Sequence, residues 1–311
     1  MQLTVLGLNH KSAPVEVRER FNLSEERIKE ILAELRDAED ISEAIILSTC
    51  NRTEFYIVID NPEKTIPYFK NLLEKISGKA YNPEYFYHLN GTYCVRHLFR
   101  VASSLDSLII GEGQILSQIK AAYQLARSNE STGFLLNQIM NKAIAVGKKV
   151  RTETRIAYAS VSVSSAAVDL AIEILGDLAQ AKILVVGAGH MSELTTRHLL
   201  DKGAKSIIVS NRNFDHAKEL ADKFNGTAIP YREMFEQAAG ADIIISSTGA
   251  PHYVLTKENL GPLLPARKGR ALVLIDIAVP RDIDPALSDC EGVTVYNIDD
   301  LEGVVDTNKT F

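Results

Sequence analysis

The amino-acid sequence predicts an α/β protein with two domains: an N-terminal α+β domain over residues 1–150 and a doubly wound, parallel-sheet domain over residues 151–300. Three observations support this fold class. A chain of 311 residues is longer than most single domains. Strand and helix patterns alternate through the second half, which is typical of parallel βαβ units. A glycine-rich turn follows the first strand of that half, where such sheets bind ligands.

The first half predicts three strands and one amphipathic helix before its polar clusters begin. The strands are expected over residues 1–8, 43–49 and 54–60, where apolar residues are concentrated. The helix is expected over residues 24–37, with Ser24 as its N-cap. Cys50 therefore lies where one strand gives way to a turn before the next.

The second half predicts short strands with unbroken apolar runs, as in sheets that are buried on both faces. Helical patterns follow the first strand, through Leu200, and the second strand, over residues 214–224. This alternation predicts a Rossmann-like sheet. The strands are expected over residues 182–187, 206–211, 242–248, 271–276 and 293–297.

The turn after the first of these strands predicts a dinucleotide site. Gly187 permits the tight turn, and Gly189 lets a phosphate approach the backbone. The following helix N-terminus supplies N–H donors and a positive dipole end. Ser192 replaces the third glycine of the GxGxxG pattern, and it is small enough to pack closely while adding a hydroxyl. The alternative is a structural βα turn without a ligand.

The end of the second strand indicates which dinucleotide is bound. NAD-binding folds commonly place an acidic residue there to hold the ribose 2′-hydroxyl. This chain has Ser210, Asn211 and Arg212 instead. A guanidinium can pair bidentately with a 2′-phosphate, so the sequence favours NADPH over NADH. The alternative is an exposed arginine at a strand end.

Cys50 is the candidate nucleophile. Its neighbours are polar, and Arg52 is cationic. A nearby guanidinium lowers the pKa of a thiol and increases the thiolate fraction, which suits covalent catalysis. The alternative is a small buried apolar residue, the commonest state of a lone cysteine.

A second polar cluster occupies residues 97–120. Gln114 and Gln118 are four residues apart and share one helix face. Two glycines interrupt the apolar run before them and could bring backbone close to a ligand. Taken alone, His97 would more often be a core histidine, and Gln118 a surface residue.

Charge is distributed unevenly along the chain. Residues 1–150 carry 18 basic and 18 acidic side chains, so the net charge of −6 comes from residues 151–311. The segment 120–155 has seven basic residues and two acidic ones. Such a segment could bind a polyanion, and a solvated helix face is the alternative.

The sequence contains no apolar run long enough to span a bilayer and no signal-peptide pattern. Its three cysteines are widely spaced and predict neither a metal site nor a disulfide framework. We therefore expect a cytoplasmic protein that does not bind membranes.

Six motifs, in order along nearly the whole chain, resemble those of the glutamyl-tRNA reductase family. That family converts glutamyl-tRNA to glutamate-1-semialdehyde with NADPH, the first step of tetrapyrrole (porphyrin) synthesis from glutamate. The resemblance implies the same activity for this chain. The motifs lie at residues 7–14, 48–54, 97–120, 187–192, 210–212 and 276–282.

The resemblance also implies roles for individual residues. Cys50 would attack the ester that joins glutamate to tRNA, and the resulting thioester would be reduced to the aldehyde. His97 would transfer a proton or polarise the carbonyl. The implied substrate-binding residues are Thr49, Asn51, Arg52, Ser107, Glu112, Gly113, Gln114 and Gln118. The implied cofactor-binding residues are Gly187, Ala188, Gly189, His190, Met191, Ser192, Asn211 and Arg212.

Members of this family dimerise through a C-terminal helical domain, and this sequence ends soon after its last predicted strand. We therefore expect residues 301–311 to be a stub of the linker towards that domain, and the chain to be monomeric. The expected partners are glutamyl-tRNA and the aminomutase that receives the semialdehyde.

Two other functions are compatible with the second half of the sequence. One is an NADP-dependent dehydrogenase of a small free acid, similar in its cofactor domain to shikimate dehydrogenases. The other is a nucleotide-sensing protein without catalysis. Neither gives Cys50 a role.

Overall fold

The structure is a computed structural model of the chain, and it describes residues 1–154, 156 and 162–301. Two compact units, Met1–Val161 and Ser162–Phe311, make up the chain. The expected boundary after residue 150 falls inside a helix of the first unit. The expected linker stub lies outside the described residues from residue 302 onward, as does Arg155 of the basic segment.

The described part of the first unit contains a four-stranded antiparallel sheet with strand order β2-β3-β1-β4. The order of its elements is that of a ferredoxin-like β-α-β-β-α-β fold. The three predicted strands are confirmed, whereas the short β4 was not predicted. The strands are β1 (Gln2–Asn9), β2 (Ile41–Ser48), β3 (Arg52–Ile59) and β4 (Tyr87–Asn90).

Helices pack against this sheet and against one another. The predicted amphipathic helix is confirmed as α2, and the Ser24 side chain caps it by accepting a hydrogen bond from the Arg27 N–H. Both α2 and α5 contact β2, and α4 packs on α6. The helices are α1 (Val15–Arg18), α2 (Glu25–Arg36), α3 (Pro62–Ser77), α4 (Thr92–Ala102), α5 (Gln114–Ser128) and α6 (Phe134–Glu153).

The second unit, where described, contains a six-stranded parallel sheet with strand order β10-β9-β8-β5-β6-β7. This is the doubly wound Rossmann order, with the switch point between β5 and β8. The five predicted strands and the predicted fold class are confirmed, while β7 was not predicted. The strands are β5 (Lys182–Val186), β6 (Ser206–Asn211), β7 (Thr227–Pro230), β8 (Ile243–Ser246), β9 (Leu272–Asp276) and β10 (Val293–Tyr296).

The helices of this unit include the two that the sequence predicts after β5 and β6. Because the strands are parallel, their carboxyl ends all lie at one edge of the sheet, together with the turn that follows each strand. The helices are α7 (Val163–Leu175), α8 (His190–Asp201), α9 (Phe214–Lys223), α10 (Met234–Gly240) and α11 (Lys257–Leu260).

Within the described ranges, no helix combines the length and the apolar character needed to cross a membrane. The same residues contain no group of three His, Cys, Asp or Glu side chains that could hold a metal ion. All three cysteines lie in the described part of the chain, and each of them is free.

A close crossing of α4 and α6 occurs at Gly147, and Gly147→Ala is expected to destabilise the protein by about 1–3 kcal/mol. The new methyl group would meet the backbone of Ala102 and lie 3.0 Å from Leu116 Cδ1. Helix propensity acts in the opposite direction, since alanine is favoured over glycine by up to about 1 kcal/mol. Urea unfolding, followed by circular dichroism, measures the difference. A midpoint for Gly147→Ala below that of wild type would show that the steric contact outweighs the gain in helix propensity.

Gly240→Ala provides the control for this measurement. Gly240 also lies in a helix, α10, but open space surrounds the position of its missing Cβ. Its substitution should leave the midpoint unchanged or raise it. A midpoint for Gly147→Ala that is equally unaffected would show that the two helices do not meet closely there.

Candidate active site

Cys50 lies in the turn that joins β2 to β3, as the sequence predicts. Thr49 fixes the shape of this turn. Its N–H donates to the Arg52 carbonyl at 2.8 Å, and its hydroxyl accepts from the N–H groups of Asn51 and Arg52 at 3.2 and 3.1 Å. The turn holds the thiol residue in a half-buried position. Thr49 thus has a structural task as well as its predicted place at the site.

The segment after β1 packs against this turn. The His10 N–H donates to the Asn51 carbonyl at 3.0 Å. Arg18 is buried, and its Nε donates to the Cys50 carbonyl at 3.5 Å while its Nη1 donates to the Ala13 carbonyl at 3.0 Å. The first motif of the chain and Arg18 therefore contact the turn that carries the cysteine.

A buried ionic network extends from Arg52 along β3. Arg52, Glu54 and Tyr56 alternate along the strand, so their side chains lie on one face of the sheet. The Arg52 Nη1 lies 2.7 Å from Glu54 Oε1 and 3.4 Å from Asp106 Oδ2, and its Nη2 donates to the Asp106 carbonyl. Lys11 Nζ lies 2.7 Å from the other oxygen of Asp106. Each charge in the network has an opposite partner, as burial requires.

Glu54 is the centre of this network. Its Oε1 lies 2.7 Å from His97 Nε2 of α4 and accepts from the Tyr87 hydroxyl of β4 at 2.5 Å, while its Oε2 accepts from the Tyr56 hydroxyl at 2.5 Å. Burial opposes the ionisation of Glu54, but the Arg52 charge and the His97 hydrogen bond outweigh it and hold its pKa well below the usual range. The carboxylate therefore stays ionised and fixes the orientation of the His97 ring.

Arg52 lowers the pKa of the Cys50 thiol, as expected, but its effect is outweighed, and the expectation of a low thiol pKa was wrong. Burial raises the pKa of this thiol to about 12, and the Glu112 charge acts in the same direction. The opposing effects of Arg18 and Arg52 are smaller. Arg52 is adjacent in sequence, but Glu54 and Asp106 engage its guanidinium, which is buried with them. The thiol is therefore protonated in the ligand-free protein.

Several buried polar atoms close to this turn have no partner among the residues that the structure describes. They are both ring nitrogens of His10, the side-chain oxygen of Asn51 and the hydroxyl of Ser107. Burial, followed by the charges of Arg52 and Lys11, lowers the pKa of His10 to about 4, so its ring is neutral. Unpartnered buried polar groups are rare in folded proteins and mark places where a ligand or water is bound.

The loop between α4 and α5 brings further predicted residues to the site. The Ser104 hydroxyl donates to the Glu112 carbonyl at 2.7 Å, and the Gly111 N–H donates to the Ser104 carbonyl at 3.1 Å. This closed loop holds Ser107 and Glu112, whose charge acts on Cys50. Burial raises the pKa of Glu112. Gly113 ends the loop at the start of α5.

The two predicted glutamines lie on α5. Gln114 is its first residue, and Gln118 follows one turn later on the same face. Both are half-buried. Their position on one helix face is confirmed, and their contact with substrate stays a prediction.

The sequence did not identify His10, Arg18, Glu54 or Asp106 as members of the site. A signal existed for Glu54, because an acidic residue in an apolar strand two positions from an arginine indicates a buried ion pair. Nothing in the local sequence marks Asp106, which meets Arg52 only through the fold.

The glycine turn of the second unit has the geometry that its sequence requires. Gly187 has a φ of 109°, and a Cβ there would lie 2.6 Å from the Ser247 carbonyl oxygen. Ser192 is fully buried, and its hydroxyl lies 2.7 Å from that of Ser247. Ser192 thus packs closely where the third glycine was expected, but its hydroxyl contacts Ser247 within the protein.

The other predicted cofactor-binding residues of the turn differ in exposure. Gly189 and His190 are exposed at the start of α8, and Ala188 and Met191 are half-buried.

The end of β6 presents an unpaired cation. Arg212 is exposed and forms no ion pair with any described residue. It lies close enough to Tyr231 for its charge to act on that hydroxyl. Asn211 donates from its side-chain nitrogen to the Asn213 carbonyl at 3.1 Å, and the buried Ser210 hydroxyl has no partner in the described part of the chain. These groups fit a phosphate-bearing ribose.

A doubly wound sheet with a glycine turn after β5 is typical of dehydrogenase-type enzymes that bind NAD or NADP. Residues 169–304 match the family model for shikimate / quinate 5-dehydrogenase, and residues 6–154 match that for the N-terminal domain of glutamyl-tRNA reductase. The chain belongs to the glutamyl-tRNA reductase family, whose members catalyse the first committed step of tetrapyrrole synthesis.

Relatives named glutamyl-tRNA reductase align with nearly the whole chain. The chain is 48% identical to that of Thermodesulfovibrio yellowstonii, with 99% of this chain and 74% of the relative covered. It is 46% identical to that of Desulforudis audaxviator, with 99% and 69% covered. A solved structure of the Methanopyrus kandleri protein is 34% identical, with a TM-score of 0.49 and 98% and 73% of the two chains covered.

Proposed function

We propose that this enzyme reduces glutamyl-tRNA to glutamate-1-semialdehyde with NADPH, through a thioester on Cys50. In this proposal residues 1–150 are the catalytic domain, and residues 151–300 bind NADPH. The observation that carries it is a cysteine on a hydrogen-bonded turn, close to buried polar atoms that have no partner among the residues that the structure describes. A site of this kind is built to bind a polar acyl group next to a nucleophile.

In the covalent step the sulfur attacks the ester carbonyl carbon, and the bond from that carbon to the ribose oxygen breaks. The proton that leaves the thiol ends on the released 3′-hydroxyl, so the step is balanced. NADPH supplies the hydride that reduces the resulting thioester. The carbon–sulfur bond then breaks, which yields the aldehyde and restores the cysteine.

Substrate binding itself helps to ionise the thiol. The Glu112 charge raises the pKa of Cys50 in the free protein. In the bound state the substrate ammonium group pairs with Glu112 and cancels this charge, so the thiolate becomes easier to form. His97 is held by Glu54, and in this proposal it transfers protons at the carbonyl.

Two other functions explain less of the structure. A dehydrogenase of a free acid, or a nucleotide sensor, would use the second unit alone. Either would leave Cys50 and the unpartnered groups of His10, Asn51 and Ser107 without a role.

Incubation with glutamyl-tRNA and NADPH, followed by an assay for the semialdehyde, tests the proposed reaction. Deacylated tRNA with free glutamate is the control. Product from the charged tRNA alone is expected, and prior alkylation of the thiol should prevent it. Product that persists after alkylation of Cys50 would support a free-acid dehydrogenase instead.

Arg212→Ala is expected to raise the dissociation constant for NADPH by about tenfold to a hundredfold and to leave that for NADH nearly unchanged. The reason is that the Arg212 guanidinium, which forms no ion pair with a described residue, would form a charge-assisted pair with the 2′-phosphate, worth roughly 1.5–3 kcal/mol. Arg212→Asp should favour NADH, since a carboxylate repels the phosphate and can hold a free ribose. Titration calorimetry with both cofactors measures the effect.

Lys218→Ala, which removes another exposed cation from α9, is the matched control and should change neither constant. Equal weakening of both cofactors by Arg212→Ala would mean that this arginine has a structural role. Unmodified protein that binds both cofactors equally would contradict the preference for NADPH.

A further inference from the structure

A groove of about 500 Å³ lies between α4 and α6 of the first unit. Its floor is apolar, and the Gly147 crossing sets how closely the two helices approach. None of the site residues predicted from the sequence lines it. The residues that matter here are Val95, Arg96, Phe99 and Arg100 from α4, and Val146 and Val150 from α6.

The groove is positively charged. Arg96 and Arg100 are exposed and one helical turn apart, and neither forms an ion pair within the described ranges. Lys148 and Lys149 are exposed on α6, where Lys149 has one acidic neighbour, Glu153, at 3.9 Å. Arginines that are not neutralised by the protein are suited to phosphate, which they bind bidentately.

Both walls of the groove lead to the loop that holds Glu112. On the α4 side, Ser103 and Leu105 line the groove, and the same loop continues to Ser107. On the α6 side, Val150 lines the groove, and the Nη1 of its neighbour Arg151 donates to the Gly113 carbonyl at 3.0 Å. The groove therefore ends at the loop that holds Glu112, the residue whose charge raises the pKa of the Cys50 thiol.

We propose that this groove holds the single-stranded 3′ end of the tRNA, with its phosphates on Arg96 and Arg100 and a base against Phe99, Val146 and Val150. The inference rests on the proposed function and adds the surface that positions the ester. Single-stranded RNA is bound elsewhere by the same combination, a cationic groove with apolar or aromatic side chains under the bases. The basic segment 120–155 supplies the α6 wall, whereas both arginines lie outside it.

Fluorescence anisotropy with two labelled, uncharged tRNA transcripts specific for glutamate tests this surface. One transcript is complete, and the other lacks its single-stranded 3′ end. The variant is Arg96→Gln combined with Arg100→Gln, which keeps the aliphatic stems and removes both charges. The control is Lys70→Gln combined with Lys79→Gln, which removes two exposed lysines from and beside α3.

Wild type and the lysine variant are expected to bind the complete transcript about tenfold more tightly than the shortened one. The arginine variant should bind both transcripts equally, at the affinity that wild type has for the shortened one. Circular dichroism melting curves should show that it is folded. If the folded arginine variant keeps the preference for the complete transcript, the groove does not hold the 3′ end and serves another partner. If wild type binds neither transcript, the proposed function fails together with this inference.

Discussion

Cys50→Ser is expected to remove reductase activity, by roughly a thousandfold or more, while the protein stays folded. The hydroxyl is a far weaker nucleophile than a thiolate, and an oxygen ester is a poorer hydride acceptor than a thioester. The change conserves volume at a half-buried turn that Thr49 holds through hydrogen bonds, so the stability should change by less than about 1 kcal/mol. Turnover with glutamyl-tRNA and NADPH measures the activity, and circular dichroism the fold.

Cys290→Ser is the matched control, because Cys290 is also free and half-buried but lies in the second unit. It should retain full activity. Substantial turnover by Cys50→Ser would rule out the covalent route. Equal loss in both variants would indicate a general sensitivity to cysteine replacement rather than a nucleophile.

Glu54→Gln is expected to destabilise the first unit by about 3–5 kcal/mol, the usual cost of leaving a buried partner charge uncompensated. Glu54 is fully buried and holds Arg52, and an amide cannot replace its charge. It also accepts hydrogen bonds from Tyr56, Tyr87 and the His97 ring. Because the chain contains no tryptophan, urea unfolding is best followed by circular dichroism.

The pH dependence of stability gives an independent test of the same group. Since pairing holds the folded pKa of Glu54 below its ordinary value of 4.5, its stabilisation is complete above that pH and is lost as the pH falls further. The stability of Glu54→Gln should therefore decline less steeply below pH 4.5 than that of wild type.

Glu84→Gln, at an exposed glutamate, serves as the control and should leave both the midpoint and the acid response unchanged. An unfolding curve for Glu54→Gln that matches that of Glu84→Gln would show that the buried network contributes little. It would also remove the reason for assigning the orientation of the His97 ring to Glu54.

The second unit was predictable because its signals are local. Each buried strand is an unbroken apolar run, and its turn residues follow at once in sequence. Ser192 shows the limit of that reasoning, since its size fits the glycine pattern but its hydroxyl is engaged by Ser247, which comes from the turn after β8. The contact between Ser192 and Ser247 depends on the pairing of β5 with β8, which local sequence patterns do not give.

The first unit was less predictable because its charges are paired over long distances. The turn that carries Cys50 follows from two apolar runs and was predicted. The effect of Arg52 on the thiol pKa is smaller than the sequence suggested, because its guanidinium is paired with groups that include Asp106, 54 residues away. Burial of the thiol likewise comes from packing around the turn, and it outweighs a neighbouring charge. Sequence adjacency alone therefore gave the wrong sign for the shift in thiol pKa.

The most direct test of the covalent mechanism is the mass of the protein after incubation with glutamyl-tRNA in the absence of NADPH. We expect a species heavier by one glutamyl group, with the addition located on the peptide that contains Cys50 and absent from Cys50→Ser. Later addition of NADPH should remove it and release the semialdehyde. A glutamyl group that still attaches to the Cys50→Ser protein, or semialdehyde formation by wild type with no adduct at any time, would rule out a thioester on Cys50.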